Sequence, residues 1–248
     1  MKASLRRTWL LWQWTLSQAL HQRVAWALAV VAVAIVAGGS VLRVFNFGDA
    51  ESRFFLNLAQ ASLLGSGTLL AAVLGPLLFC EGLASRTTHL FLTRGARRGE
   101  IVSGAVLAMV TLLGWLVLLH AGALSFLMLS HGHGAGLSIS LRLLATGFGP
   151  LLIIGSMAVL LPILLHRPAL ATLGTLALAV AGQLAPVLQH MQTRSEGFVA
   201  WLWSGLAYVV PNFAIFETAP ASIAALYAGG YAVLYWALAV LCFARREI

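Results

Sequence analysis

The 248-residue sequence contains a single lysine, Lys2, two cysteines and only seven acidic residues. A phosphate-binding loop of the form G-x-x-x-x-G-K-[ST] needs a lysine for the outer phosphates of a nucleotide, so this route to ATP hydrolysis is excluded. The H-E-x-x-H pattern of a membrane metalloprotease is also missing. Cys80 and Cys242 have no metal-ligand spacing, and we expect no disulfide between them. The sequence therefore predicts a chain without catalysis of its own and without a cofactor.

Apolar residues dominate what is present. They make up 60% of the chain, charged residues make up 9%, and the mean hydropathy is +0.93. These values lie outside the range of soluble domains and indicate an integral membrane protein. The net charge of +8 does not indicate nucleic-acid binding, because most basic residues lie in short segments between apolar runs, where membrane topology explains them.

Six apolar runs approach or exceed the roughly 20 residues that a helix needs to cross a bilayer. Their composition and length favour helices over the alternating pattern of a membrane barrel. We predict an all-α integral membrane protein in which residues 1–248 form one transmembrane domain, with a tight helical hairpin between the fourth and fifth spans. The predicted spans are Val24–Leu42, Leu56–Cys80, Ile101–Leu129, Leu143–Leu165, Ala169–Gln189 and Ser222–Phe243.

The basic residues divide unequally between the two sides of such a bundle. By the positive-inside rule, the side with eleven is cytoplasmic and carries both termini, whereas the other side has four. The eleven are Lys2, Arg6, Arg7, Arg23, Arg86, Arg94, Arg97, Arg98, Arg167, Arg245 and Arg246, and the four are Arg43, Arg53, Arg142 and Arg194.

The N-terminal residues 1–23 have the pattern of an amphipathic helix. A helix would place Leu5, Trp9, Trp12, Leu16 and Leu20 on one apolar stripe. We predict an interfacial helix lying under the membrane, and the alternative is an ordinary lead-in to the first span. A signal peptide is not expected, since no Ala-x-Ala-like cleavage site precedes the first span.

Two features allow functional alternatives that we consider weaker. His120 is the one ionisable group in the middle of a span, and a lone histidine there is more often a packing donor than a proton relay. On the outer face, imidazoles and thioethers would suit copper, but a solvated glycine-rich turn with interfacial side chains is the preferred explanation because no spacing is diagnostic of a metal site, and none is predicted. These residues are Met128, His131, His133, His190 and Met191.

The segment 81–100, between the second and third spans, combines charge with an apolar centre. We predict a short helix around Ser85–Thr93 that anchors a cytoplasmic partner, since an apolar anchor inside a polar rim is typical of protein interfaces. The alternative is that its arginines only obey the positive-inside rule while its apolar residues enter the head-group layer. The anchors would be Leu90, Phe91 and Leu92, ringed by Arg86, Arg94, Arg97 and Arg98.

This segment resembles the signature between the second and third spans of ABC-2 type permeases, in the branch that includes the nitrous-oxide-reductase maturation permease. The chain departs from that signature where Gly82 and Ala84 replace common acids, Gly95 replaces a proline and Ala105 replaces a lysine. The matching positions are Arg86, Thr87, Phe91, Leu92, Arg94, Arg98, Glu100 and Gly104.

Two further stretches share the resemblance. The sequence "YVVPNFAIFE", Tyr208–Glu217, is similar to the element that such permeases place between spans five and six, here within the external loop 192–221. Phe198–Val210 just before Pro211 is too short to cross, so a re-entrant or interfacial segment is expected, with Pro211, Asn212 and Phe213 at its end. Phe45–Gly65 is similar to the region that opens the second span.

The resemblance implies the membrane subunit of an ABC exporter in a bacterial inner membrane. Such a permease works as a pair, usually a homodimer, with a separate cytoplasmic ATPase that binds ATP and contacts the segment from Arg86 to Glu100. The apolar spans suggest a lipid-like, amphipathic or peptide substrate, and a periplasmic partner would dock on residues 43–55 or 192–221. One alternative is a membrane scaffold that recruits a partner without transport. Another is a membrane-embedded enzyme, for which Glu81 with Arg86 is the nearest candidate pair.

Overall fold

The computed structural model describes residues 2–39, 51–84, 87–130, 136–194, 201, 205 and 210–245. Within these ranges the chain is helical and contains no strand, which confirms the predicted all-α class for this part of the chain. Its helices are α1 (Lys2–His21), α2 (Arg23–Gly38), α3 (Glu51–Ala84), α4 (Thr87–Thr93), α5 (Arg98–Ser130), α6 (Gly136–Leu165), α7 (Pro168–Gln183), α8 (Ala185–Arg194), α9 (Ile215–Thr218) and α10 (Ala221–Ala244).

Four helices of the described chain, α3, α5, α6 and α10, are long and apolar enough to cross a membrane. The pair α1 and α2, bent by 65° at its junction, would add a fifth crossing if both helices formed one span. Residues 168–183 of α7 number 16, fewer than the roughly 20 that a full crossing needs. The structure is therefore that of a multi-pass helical membrane protein, and the predicted number of six spans stays a prediction.

The centre of the bundle is the contact between α3 and α6. In the most apolar 18-residue stretch of α6, about 72% of the residues are buried, compared with 17% in the corresponding stretch of α10 at the periphery. Gly75 in α3 makes the close approach possible, because a Cβ atom there would lie 2.4 Å from the Ala158 carbonyl oxygen of α6. The two helix backbones consequently touch at this point, with α5 packed against both helices.

The connection between α6 and α7 is a tight turn. α6 ends at Leu165, His166 has a positive φ of 58°, and Pro168 occupies the first turn of α7. Proline fits this place because its missing N–H would have no helical partner there. α7 then packs back against α6 and α3, which gives the helical hairpin predicted from the sequence.

The helix predicted for the N-terminal residues is present as α1, and it packs along α5. Leu11, Thr15 and Ala19 form its buried face, whereas Leu5 and Trp9 of the predicted apolar stripe are exposed. Trp12 of the same stripe donates from Nε1 to the Thr111 hydroxyl of α5 at 3.0 Å, and Leu16 packs against the core, so the stripe is divided between the bundle and the outside. Whether it lies in a membrane interface remains a prediction.

Candidate functional site

The candidate site is built around α4, the short helix that links the long helices α3 and α5. Its C-terminal end is a Schellman cap: the Ala96 N–H donates to the Phe91 carbonyl (3.0 Å) and the Gly95 N–H to the Leu92 carbonyl (3.0 Å). Gly95 has a φ of 82°, a conformation in which glycine is unstrained. The glycine that departs from the family signature therefore has a structural role here, since a proline could provide neither this φ nor the N–H.

The start of α5 is capped by the carboxylate of Glu100, which is buried. Its Oε2 accepts the backbone N–H of Arg97 at 2.9 Å, as the acid of a capping box does. Its Oε1 accepts a hydrogen bond from the Ser4 hydroxyl at 2.7 Å. One side chain thus fixes the first turn of α5 and ties it to α1.

α1 supports α4 and its following turn from one side. The Trp14 ring packs edge-on against the Phe91 ring with 5.0 Å between centroids, and an Arg7 guanidinium N–H donates to the Gly95 carbonyl. α1 can lie this close because a Cβ atom on Gly104 of α5 would be 2.9 Å from the Leu11 Cβ. α4 and its following turn are consequently held by Trp14 and Arg7 of α1 rather than by the seven residues of α4 alone.

The predicted anchor residues point in different directions. Phe91 and the buried Thr88 border a small cavity of about 40 Å³ between α1, α3, α5 and α6. Leu90 is 56% exposed, and Leu92 is half-buried. Leu90 is therefore the apolar side chain of α4 that a partner could reach, while Phe91 is part of the bundle's own packing.

The arginines divide in the same way. Arg94 and Arg97 are exposed. Arg98 is half-buried, and its Nη1 donates to the carbonyls of Phe243 (3.1 Å) and Ala244 (2.8 Å) at the C-terminal end of α10. Arg86 and the side chain of Thr87 lie outside the described part of the chain.

The predicted external element, Pro211 to Phe213, is a turn clamped between helices. The Asn212 N–H donates to the Tyr227 hydroxyl of α10 at 2.7 Å, and Asn212 Oδ1 accepts the Ala214 N–H at 3.0 Å. The Phe213 N–H donates to the Gly182 carbonyl near the end of α7 at 3.2 Å. The turn therefore joins α7 to α10. Most of the re-entrant run predicted before it lies outside the described residues.

The contacts of the described residues support neither a proton relay at His120 nor a copper site on the outer face. The fully buried His120 has Nδ1 2.8 Å from the Leu116 carbonyl and Nε2 3.4 Å from the Ser62 hydroxyl, contacts that suit a packing histidine. Met128 is buried in the core, and His131 and His133 are outside the described ranges. In the part of the chain that the structure describes, no three His, Cys, Asp or Glu residues come together in a possible metal site.

Sequence reasoning missed the part that α1 plays in this site. Ser4, Arg7 and Trp14 lie about 90 residues from their partners, and no local pattern connects them. The sequence did contain one signal for the start of α5. Glu100 lies three residues after Arg97, the spacing at which a glutamate can accept the N-cap N–H in a capping box.

Comparison with known proteins identifies no family for this chain. No family model matches it, and no curated protein matches it significantly. The resemblance to ABC-2 type permeases therefore depends on the short motifs alone.

Proposed function

We propose that this chain is the transmembrane permease subunit of an ABC-2 type exporter, driven by a separate cytoplasmic ATPase. The observation that supports this proposal best is the set of contacts that hold α4 in place. A seven-residue helix between two long apolar helices, capped at Gly95 and held by α1, has the position and stiffness that a coupling helix needs.

The contacts of α4 supply a route for movement. An ATPase closing beneath the bundle would press on the exposed side chains Leu90, Arg94 and Arg97. The push would reach α1 through Phe91 and Trp14, and α10 through Arg98 at the start of α5. Rigid connections of this kind let a two-state ATPase shift a two-state bundle.

The proposed topology keeps the six predicted spans. α2 would belong to the predicted span Val24–Leu42, α7 and α8 would together make the predicted span Ala169–Gln189, and α1 would be an interfacial helix. Both termini and α4 would then be cytoplasmic in a bacterial inner membrane. Two copies would form the pathway for a lipid-like, amphipathic or peptide substrate, with the turn at Asn212 on the side available to a periplasmic partner.

The test is capture and stimulation of the ATPase expected from a neighbouring gene. Reversing Arg94 and Arg97 to glutamate should lower co-purification of the ATPase about tenfold or more, because both face solvent at α4. Reversing the exposed pair Arg6 and Arg23 is the matched control and should leave capture unchanged.

Arg98 is omitted from this pair because it holds α10, so its reversal would disturb the fold as well as the surface. Equal capture by both double variants would contradict the coupling role. Normal capture with no compound that raises ATP hydrolysis in proteoliposomes would instead support a scaffold.

A further inference from the structure

Two adjoining cavities of about 390 and 420 Å³ lie beside the first turns of α3, at the end of the bundle opposite α4. They share Asn57, Gln60 and Glu217 and therefore form one crevice. In a chain with only 9% charged residues, this crevice gathers an unusual density of polar side chains.

The mouth of the crevice is charged. Arg53, Asn57 and Gln60 recur at helical spacing on one side of α3, Arg142 and Thr146 are one turn apart on α6, and Glu217 comes from α9. Together the charged side chains give the mouth two positive charges and one negative charge.

The Glu217 carboxylate already has a hydrogen-bond partner, whereas the two guanidinium groups have none among the described residues. Gln60 Nε2 donates to Glu217 Oε1 at 2.8 Å. Across the described residues, the guanidinium groups of Arg53 and Arg142 make neither a hydrogen bond nor an ion pair, although both line the same 390 Å³ space. Two arginines facing one cavity with spare donors form a site for an anion with several oxygen atoms.

The inner part of the crevice is more apolar. Beyond Gln60 it is lined by Ala61, Leu64 and Gly65 of α3 and, on the other side, by Gln183 of α7. A Cβ atom added at Gly65 would meet nothing within 4 Å, so this part is open space. From Arg53 to Gly65 the helix rises about 18 Å, so the apolar residues of α3 follow the charged mouth along one open groove.

We propose that the crevice binds a phospholipid, with its phosphate at Arg53 and Arg142 and part of an acyl chain beside Ala61 to Gly65. Both arginines lie within the first turns of membrane-spanning helices, the level at which lipid head groups meet a bundle. A water-soluble phosphate compound would satisfy the arginines equally well but would not use the apolar part. This lipid site does not depend on the exporter function.

The experiment is native mass spectrometry of the full-length, delipidated protein titrated with dioctanoyl phosphatidylglycerol. Dioctanoylglycerol has the same chains without the phosphate, and glycerol 3-phosphate has the phosphate without the chains. Replacing Arg53 and Arg142 by glutamine should weaken binding of the lipid about tenfold or more, since charge-assisted contacts to phosphate are lost. Arg53→Lys with Arg142→Lys should bind with intermediate affinity, because lysine keeps the charge but not the bidentate geometry.

The control is Arg23→Gln with Arg245→Gln, which removes the same charge from exposed positions away from the crevice. Equal loss of lipid binding in both glutamine variants would overturn the site, and so would equal binding of dioctanoylglycerol. Gly65→Leu should weaken the phosphatidylglycerol complex while its thermal unfolding temperature stays that of the wild type. A phospholipid would be overturned as the occupant by two results together: glycerol 3-phosphate binds as tightly as phosphatidylglycerol, and Gly65→Leu leaves the binding of glycerol 3-phosphate unchanged.

Discussion

The two ends of the bundle use charged residues differently. At the α4 end, Glu100 caps a helix and Arg98 binds the carbonyl groups that end α10. At the opposite end, Arg53 and Arg142 face a cavity without a partner among the described residues. Membrane topology predicts arginines at helix ends in both places. Only the contacts distinguish charges that hold the fold together from charges that remain available to a ligand.

The difference extends to the packing of α3, where it predicts the largest effect. Gly75→Ala should destabilise the protein by about 3 kcal/mol, because the new Cβ would meet the backbone of Ala158, which cannot move aside cheaply. Gly65→Ala, in the same helix but facing open space, is the matched control and should not destabilise the protein; it should stabilise it by up to about 1 kcal/mol, because alanine favours the helix more than glycine does. Thermal unfolding in detergent, followed by tryptophan fluorescence, measures both. Equal unfolding temperatures for the two variants would show that α3 and α6 are not in backbone contact.

A second comparison uses the hydrogen-bonded carboxylates of Glu100 and Glu217. Glu100→Gln should cost about 2 kcal/mol, because the buried carboxylate that accepts from both the Ser4 hydroxyl and the Arg97 N–H becomes a neutral amide, so that both hydrogen bonds lose their charge assistance. The exposed Glu217 accepts a hydrogen bond from Gln60, and Glu217→Gln should change the stability by less than about 0.5 kcal/mol. The same unfolding measurement applies. A larger loss at Glu217 than at Glu100 would reverse the distinction drawn between the two ends.

The sequence predicted the helices better than their contacts. Runs of apolar residues located α3, α5, α6 and α10 to within several residues, because the length needed to cross a bilayer is a strong constraint. α7 is shorter than its predicted span, and residues 40–42 at the end of the span predicted around α2 lie outside the described part of the chain. For α7 the cause is local: the helix is interrupted at Leu184 before α8 begins, a break that hydropathy does not show.

The candidate site was predictable in place but not in detail. A short helix was expected near its observed position, Thr87–Thr93, from its apolar centre and flanking charges. The opposite roles of Leu90 and Phe91 could not be predicted, since they depend on where Trp14 of α1 lies. The crevice was missed because Arg53 and Arg142 are separated by 89 positions and come together only in the folded bundle.

The smallest expected effect separates the two kinds of arginine at the α4 end itself. Arg98→Gln should cost about 1 kcal/mol, because a cation at the C-terminal end of α10 is lost together with its hydrogen bonds. Arg94→Gln should leave the unfolding temperature unchanged, since its side chain is exposed.

Capture of the ATPase should rank the same two variants in the opposite order, with the larger loss at Arg94. If α4 is the coupling helix, Arg94→Gln reduces capture of the ATPase although its stability is normal, whereas Arg98→Gln lowers stability more than capture. A variant at Arg94 that loses neither property would leave Leu90 of α4 and Arg97 after it as the exposed contacts, and Leu90→Ala combined with Arg97→Gln would then have to abolish capture. Should that double variant also capture the ATPase normally, α4 would be a structural brace between α3 and α5 and not a receiver of force.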